Sequence, residues 1–143
     1  MVGPLVKVKH DGDWSQEIDT PGHSSAIGAS HPEHVACYVE SPWSEFAGEP
    51  PSGQLRIASA NTTNFTASLL SSIAKTLPSS MFHTGGDEIN TECYQQDNET
   101  QADLAATGRT LEQALSVFTQ TTHGALNKLG KTPVVWEGEG RPT

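Results

Sequence analysis

Twice along this chain an amphipathic helical stripe runs, within a few residues, into a short apolar segment with carboxylates beyond it. That repetition restricts the fold more than any other feature. Phe65, Leu69, Ile73 and Leu77 recur at steps of four, backed by Leu70 and Ala74. The spacing predicts a helix over residues 61–77, with Asn61 as N-cap and Pro78 as the stop. Met81-Phe82-His83 follows as a buried strand halted by Gly85-Gly86. The second stripe joins Leu111, Leu115, Phe118, Thr122, Ala125 and Leu129; Thr110 and Gln113 open it in capping-box spacing and Gly130 closes it. Residues 133–137, Pro-Val-Val-Trp-Glu, then read as another short strand. Strands joined through helices lie parallel, so the fold class is α/β.

Upstream the pattern is thinner. Residues 1–16 alternate only at Val6 and Val8 and predict a weak or frayed entry. Glu17-Ile18-Asp19 reads as a strand, broken by Thr20-Pro21-Gly22-His23, because proline lacks a donor and glycine frees the backbone for a turn. From there to Arg56 a long loop is expected, holding Pro32, Pro42, Pro50 and Pro51. A connection of that length is normally functional or tied down, and Cys37 is a candidate tie.

Aspartate and glutamate number 17 against 8 lysines and arginines, a formal net charge of -9 with histidines neutral. Such a surface repels phosphate backbones and anionic headgroups, which excludes nucleic acid and membrane as expected partners. The longest uncharged stretch, residues 57–74, carries hydroxyls and amides throughout, so no transmembrane helix is expected. The first residues lack the unbroken apolar core of a signal peptide. Serine and threonine make up 29 of the 143 residues, a hydroxyl-rich composition that suits a secreted protein. Sequons at Asn61, Asn64 and Asn98 point the same way, against chance matches in a threonine-rich chain. The two cysteines, Cys37 and Cys93, form one disulfide in an oxidising compartment or are two small core residues in the cytosol. A length of 143 residues suits one domain and excludes a complete eight-unit barrel of roughly 250 residues.

The strongest chemical signal is Thr84-Gly85-Gly86-Asp87-Glu88, where two carboxylates stand side by side at a strand end. Adjacent carboxylates repel, so one pKa is expected to rise, which supplies a proton donor and a fixed negative charge at one site. Asp19 and His23 flank a rigid turn four residues apart. On neighbouring parallel strands, Asp19, His23, Asp87 and Glu88 converge at the C-terminal end of the sheet, where such folds bind ligands.

The segments Glu-Ile-Asp-Thr-Pro-Gly-His (17–23), Phe-His-Thr-Gly-Gly-Asp-Glu-Ile-Asn (82–90) and Pro-Val-Val-Trp-Glu (133–137), in this order and spacing, resemble the β-N-acetylhexosaminidases of glycoside hydrolase family 20. The intervening sequence is similar to fungal secreted members. The resemblance implies a partial (β/α)8 TIM-barrel segment of about three β/α units, containing the third, fourth and fifth strands. Residues 17–137 would form the partial catalytic barrel, with a weakly patterned segment 1–16 before it and a tail 138–143 after it. By the same resemblance Glu88 is the general acid, Asp87 orients the substrate's 2-acetamido group, and His23 with Asp19 tunes the acid. Trp136 is one wall of the sugar pocket, and Glu137 beside it is a substrate-binding residue. A Cys37–Cys93 bridge is implied as well. The implied partners are N-acetylhexosamine glycans, with no metal or organic cofactor. Three or four strands cannot close a barrel, so association between copies, or with the remainder of the barrel, is expected. The alternative function is a lectin-like protein that binds such glycans without turnover.

Other constellations weigh less. His31-Pro32-Glu33-His34 has two imidazoles three residues apart, but without a third nearby ligand it reads as a solvated loop. His83 reads as a strand residue packed beneath the site, and Tyr38, Trp43 and Tyr94 as packing or loop anchors.

Overall fold

The computed structural model describes residues 6–10, 13–86 and 89–136. Strand β1 (Val6–His10) and strand β2 (Asp13–Thr20) form an antiparallel hairpin, with Val6 opposite Glu17 and His10 opposite Asp13. The weakly patterned entry is therefore ordered by pairing, and β2 begins at Asp13 although Trp14-Ser15-Gln16 has no apolar run.

The connection from β2 to the first long helix is not the bare loop expected from its prolines. It contains a short helix α1 (Ser25–Gly28), a 3₁₀ turn Pro32–His34, strand β3 (Val35–Ala36), a 3₁₀ turn Trp43–Glu45 and strand β4 (Gln54–Leu55), which pairs antiparallel with β3. Helix α2 (Ala60–Ala74) follows, then strand β5 (Met81–Gly85). Helices α3 (Thr91–Gln96) and α4 (Asn98–Thr107) occupy a stretch that had no predicted element. Helix α5 (Leu111–Lys128) and strand β6 (Thr132–Val134) complete the order.

The main sheet runs β1-β2-β5-β6, with β2, β5 and β6 mutually parallel. Crossovers through α2 and α5 bring each strand back beside its predecessor, as parallel pairing demands. Ile18, Leu70, Ala74, Phe82 and Leu126 form the core between sheet and helices. A second core lies under the two long connections, where Ile27, Val35, Ala36, Leu55, Ile57, Cys93, Tyr94 and Phe118 pack together.

Local chemistry explains the boundaries. The N-cap of α2 is Ser59, not Asn61: Thr62 N donates to Ser59 Oγ at 3.2 Å, and Thr62 and Thr63 are buried. The helix ends at Ala74 because Pro78 disfavours helical backbone at Leu77, and Thr76 and Leu77 finish in tight turns onto Ile73 and Ala74. For α5 the capping box is present in both directions, Gln113 N to Thr110 Oγ1 at 3.2 Å and Thr110 N to Gln113 Oε1 at 3.0 Å. Its C-terminus is a Schellman turn, in which Lys131 N reaches Leu126 O and Gly130 N reaches Asn127 O, with Gly130 at φ 74. Strand β6 is shorter than the predicted 133–137. Val135 and Trp136 leave the ladder, although Trp136 N still donates to Gly85 O at 3.1 Å.

Candidate active site at the C-terminal ends of the parallel strands

Side chains alternate across a strand, so β2 presents Ile18 to the helices and Glu17 and Asp19 to the opposite face. Strand β5 does the same, with Phe82 toward the helices and His83 away from them. The register sets Glu17 beside His83 and Thr20 beside Gly85. Thr20 Oγ1 donates to Thr84 O at 3.1 Å and ties the two strand ends together.

Asp19 lies across the backbone of Gly85. A Cβ at position 85 would stand 1.8 Å from Asp19 Oδ1, so only glycine admits the carboxylate there, and φ is +74 at that residue. His23 is held in the left-handed region at φ 52, with Nε2 4.0 Å from Asp19 Oδ2. A non-glycine residue in that region is strained, and such strain concentrates where a side chain must be aimed. Ser24 Oγ donates to Pro21 O at 3.0 Å and to Gly22 O at 3.1 Å, which braces the turn. An open cleft beside His23 is lined by Phe46, Gly48, Pro51 and Gln54 from the long connection.

The structure thus brings together Asp19, His23 and the strand end that leads to Asp87. Asp87, Glu88 and Glu137 lie outside the described residues, and so does the expected pKa rise of the carboxylate pair. Trp136 reaches the same face from beyond β6. Its indole sits 4.5 Å from the His83 ring, tilted by 44°, and Nε1 donates to Glu17 Oε1 at 3.0 Å. His83 is buried, as expected, with Nδ1 accepting Gly85 N at 3.2 Å and lying 3.7 Å from Glu17 Oε2.

Sequence reasoning singled out no role for Glu17, yet it is a buried carboxylate on the site face. Its signal was available: it stands two residues before Asp19, the spacing that keeps two strand residues on one side.

The two long connections are locked to each other around this face. Cys37 and Cys93 form a disulfide with Cα atoms 6.0 Å apart across 56 residues, and closing a loop of that size stabilises by ~4 kcal/mol in the chain-entropy description. Arg56 makes a forked ion pair with Asp97, Nε to Oδ2 and Nη2 to Oδ1, both 3.0 Å. Burial alone would raise the Asp97 carboxyl, but hydrogen bonds from Arg56 and Thr100 and the Arg56 charge hold it below the usual carboxylate range. Tyr94 is fully buried and its hydroxyl donates to Leu55 O at 2.5 Å; burial pushes the phenol well up.

In the His31–His34 segment His31, Pro32 and Glu33 are exposed, as expected of a solvated loop, but His34 is not. The 3₁₀ turn swings His34 inward, where its ring stacks on Phe65 at 4.2 Å and Nδ1 meets Thr62 Oγ1 at 2.9 Å. Burial lowers its pKa, so it is a neutral packing histidine. Among the described residues no group of three or more His, Cys, Asp or Glu side chains is placed to hold a metal ion. Nor is any described helix long and apolar enough to cross a membrane. Tyr94 is a core anchor, Tyr38 is 39% exposed but lays its ring against Gly28, and Trp43 is 41% exposed. Asn61 and Asn98 are exposed in the first turns of α2 and α4 and Asn64 is exposed in the second turn of α2, while the sequon threonines Thr63, Thr66 and Thr100 are buried.

The sequence profile of the catalytic domain of glycosyl hydrolase family 20 matches residues 15–140. The chain belongs to glycosyl hydrolase family 20. Among relatives of the family-20 chain, the β-hexosaminidase of Arthroderma benhamiae is 37% identical over 124 residues, covering 85% of this chain and 20% of that protein. The β-hexosaminidase subunit A1 of Dictyostelium discoideum is 28% identical over 120 residues, covering 84% and 22% respectively. The solved chitobiase of Flavobacterium johnsoniae superposes with a TM-score of 0.66 at 27% identity, covering 85% of this chain and 18% of that one. An exo-β-N-acetylglucosaminidase of Vibrio harveyi, solved with N-acetylglucosamine, gives 0.65 at 25% identity, with 85% and 19% covered. The family-20 chain therefore spans about one fifth of the length of these relatives. Its three parallel strands with two crossover helices are a segment of the (β/α)8 barrel. The lectin-like alternative gains no support from relatives described as hydrolases.

Proposed function

We propose that this chain supplies the acid-bearing part of a β-N-acetylhexosaminidase site that removes terminal β-linked N-acetylhexosamine from glycans. The observation that carries the reading is the polar face built at the C-terminal strand ends. There a buried carboxylate, the Asp19–His23 pair and an indole converge beside the strand end from which Asp87-Glu88 follows. Burying such groups on a sheet costs free energy that packing does not return, so a chemical role is the economical explanation.

In this reading Glu88 protonates the departing glycosidic oxygen. Asp87 orients the 2-acetamido group, whose own oxygen attacks the anomeric carbon, so the nucleophile belongs to the sugar rather than to a second carboxylate. Asp19 and His23 tune the acid, Trp136 packs against the apolar face of the ring and Glu137 binds its hydroxyls. The reaction needs no metal or organic cofactor. Residues 17–137 act with the remainder of a barrel or with further copies of the chain, which also cover the open sheet edges. Hydroxyl-rich composition, the disulfide and the sequons at Asn61, Asn64 and Asn98 support secretion as a glycoprotein.

A fluorogenic N-acetyl-β-glucosaminide assay of the chain and its Glu88→Gln variant tests this. Turnover lost by at least about a hundredfold in the variant is the expected result. Sugar-inhibitable glycan binding without any turnover would sink the enzyme reading.

A further inference from the structure

The contact between Glu17 and Trp136 spans the site face in an unusual way. Glu17 is on β2 and Trp136 lies just beyond β6, so the hydrogen bond passes over β5, with His83 packed beside it. A carboxylate that is only 8% exposed receives the N–H of a tryptophan that is 45% exposed. Burying a carboxylate is costly, and here it anchors a half-exposed ring.

The hydrogen-bond roles are set by the backbone. His83 Nδ1 accepts Gly85 N at 3.2 Å, so on neutral His83 the ring proton is on Nε2 and Nδ1 turns a lone pair, not a proton, toward Glu17 3.7 Å away. Among the described residues, the indole N–H donates to Glu17, at 3.0 Å. The Trp136 backbone is tied down separately, through its N–H on Gly85 O. What the backbone contact leaves open is the rotation of the indole about its two side-chain torsions. Two contacts remove that freedom: the tilted packing on His83 and the bond from Nε1 to Glu17.

We propose that Glu17 is a positioning residue that fixes the plane of the Trp136 indole, and through it the wall on which a sugar ring packs. The sugar-facing half of this statement rests on the hexosaminidase reading; the clamp itself does not. A charged acceptor makes the stronger bond, so the wall is held by a carboxylate two strands away rather than by neighbours on its own edge strand.

The test follows the Trp136 indole proton by NMR in the ¹⁵N-labelled full chain, the resonance being assigned by its loss in Trp136→Phe. In Glu17→Leu, exchange of that proton with water should quicken by about tenfold or more, whereas Glu17→Gln, which keeps an oxygen acceptor, should retain most of the protection. Equal exchange in wild type and Glu17→Leu overturns the proposal. Where Glu17→Leu does not fold, the indole shift in Glu17→Gln decides: it should move upfield as the acceptor loses its charge, and an unchanged shift overturns the proposal. Titration with N-acetylglucosamine, followed on backbone amide resonances that every variant retains, reads the second half. Glu17→Leu and Trp136→Phe should each weaken binding by about five- to tenfold, and the double variant no further, because one residue acts through the other. Additive losses overturn the positioning role. A wild-type chain that does not respond to the sugar overturns the hexosaminidase reading instead, and the exchange rates alone then decide the clamp.

Discussion

The two faces of the main sheet are made by alternate residues of the same strands and are built to opposite rules. Toward the helices, Ile18 and Phe82 meet Leu70, Ala74 and Leu126 in an apolar layer. Thr84 Oγ1 meets His123 Nε2 across it at 3.1 Å. On the other face Glu17, Asp19, His83 and Trp136 stand together, with imidazoles close to carboxylates, an indole bonded to Glu17 and a strained turn. The comparison shows how the fold tolerates a site that is costly to assemble. Stability comes from one side of each strand, which leaves the other side free to hold groups chosen for chemistry.

The largest test removes the stabilising side. Phe82→Ala deletes a side chain that is 1% exposed between sheet and helices and should cost about 3–5 kcal/mol, read as a shift of the urea midpoint. A loss below 1 kcal/mol would mean that the helix face is not what holds the strands. Next in size is Gly85→Ala, which strikes the polar side. The left-handed backbone there should cost about 1–2 kcal/mol, and the new methyl must drive Asp19 from its place. Sugar binding or turnover should therefore fall far more than stability does. A variant that lost stability and kept sugar binding would separate Asp19 from the site.

The smallest effect is a pH dependence. Burial lowers the folded-state pKa of His34 and of His123, so each contributes stability that is full above its unfolded value near 6.5 and declines as the pH falls below it. Asp97, also lowered in the folded state, should add a second decline below the unfolded carboxylate value of about 3.9. Thermal melts from pH 8 to pH 3 should show both steps, and Asp97→Asn should remove the lower one. A single step unaffected by that substitution would place the acid sensitivity elsewhere, on the polar face.

How much was legible follows from where each signal resides. Helix α5 was readable end to end because its capping box, its apolar stripe and Gly130 all act within a few residues of the backbone they shape. Helices α3 and α4 were not, since no apolar stripe marks them. Their order comes from Asn90 and Asp97 capping the two N-termini, from the disulfide at Cys93 and from Arg56 gripping Asp97 across 41 residues. Strand β2 was underestimated for a related reason: Trp14-Ser15-Gln16 carries no hydrophobic alternation, and the strand is made by partners on both sides. His34 was misjudged because the inward swing depends on Phe65 of another element.

The sequence by itself determined the α/β rhythm, the long helices, the acidic strand ends and the family, because periodicity, caps and spaced motifs are properties of contiguous residues. Tertiary structure alone decided that Asp19 lies on Gly85, that the long connections are stitched together by a disulfide and a forked ion pair, and that Glu17 holds Trp136. Glu17 and Trp136 are 119 residues apart in the chain. No local preference carries information over that distance; only the register of three parallel strands brings the carboxylate and the indole within 3.0 Å.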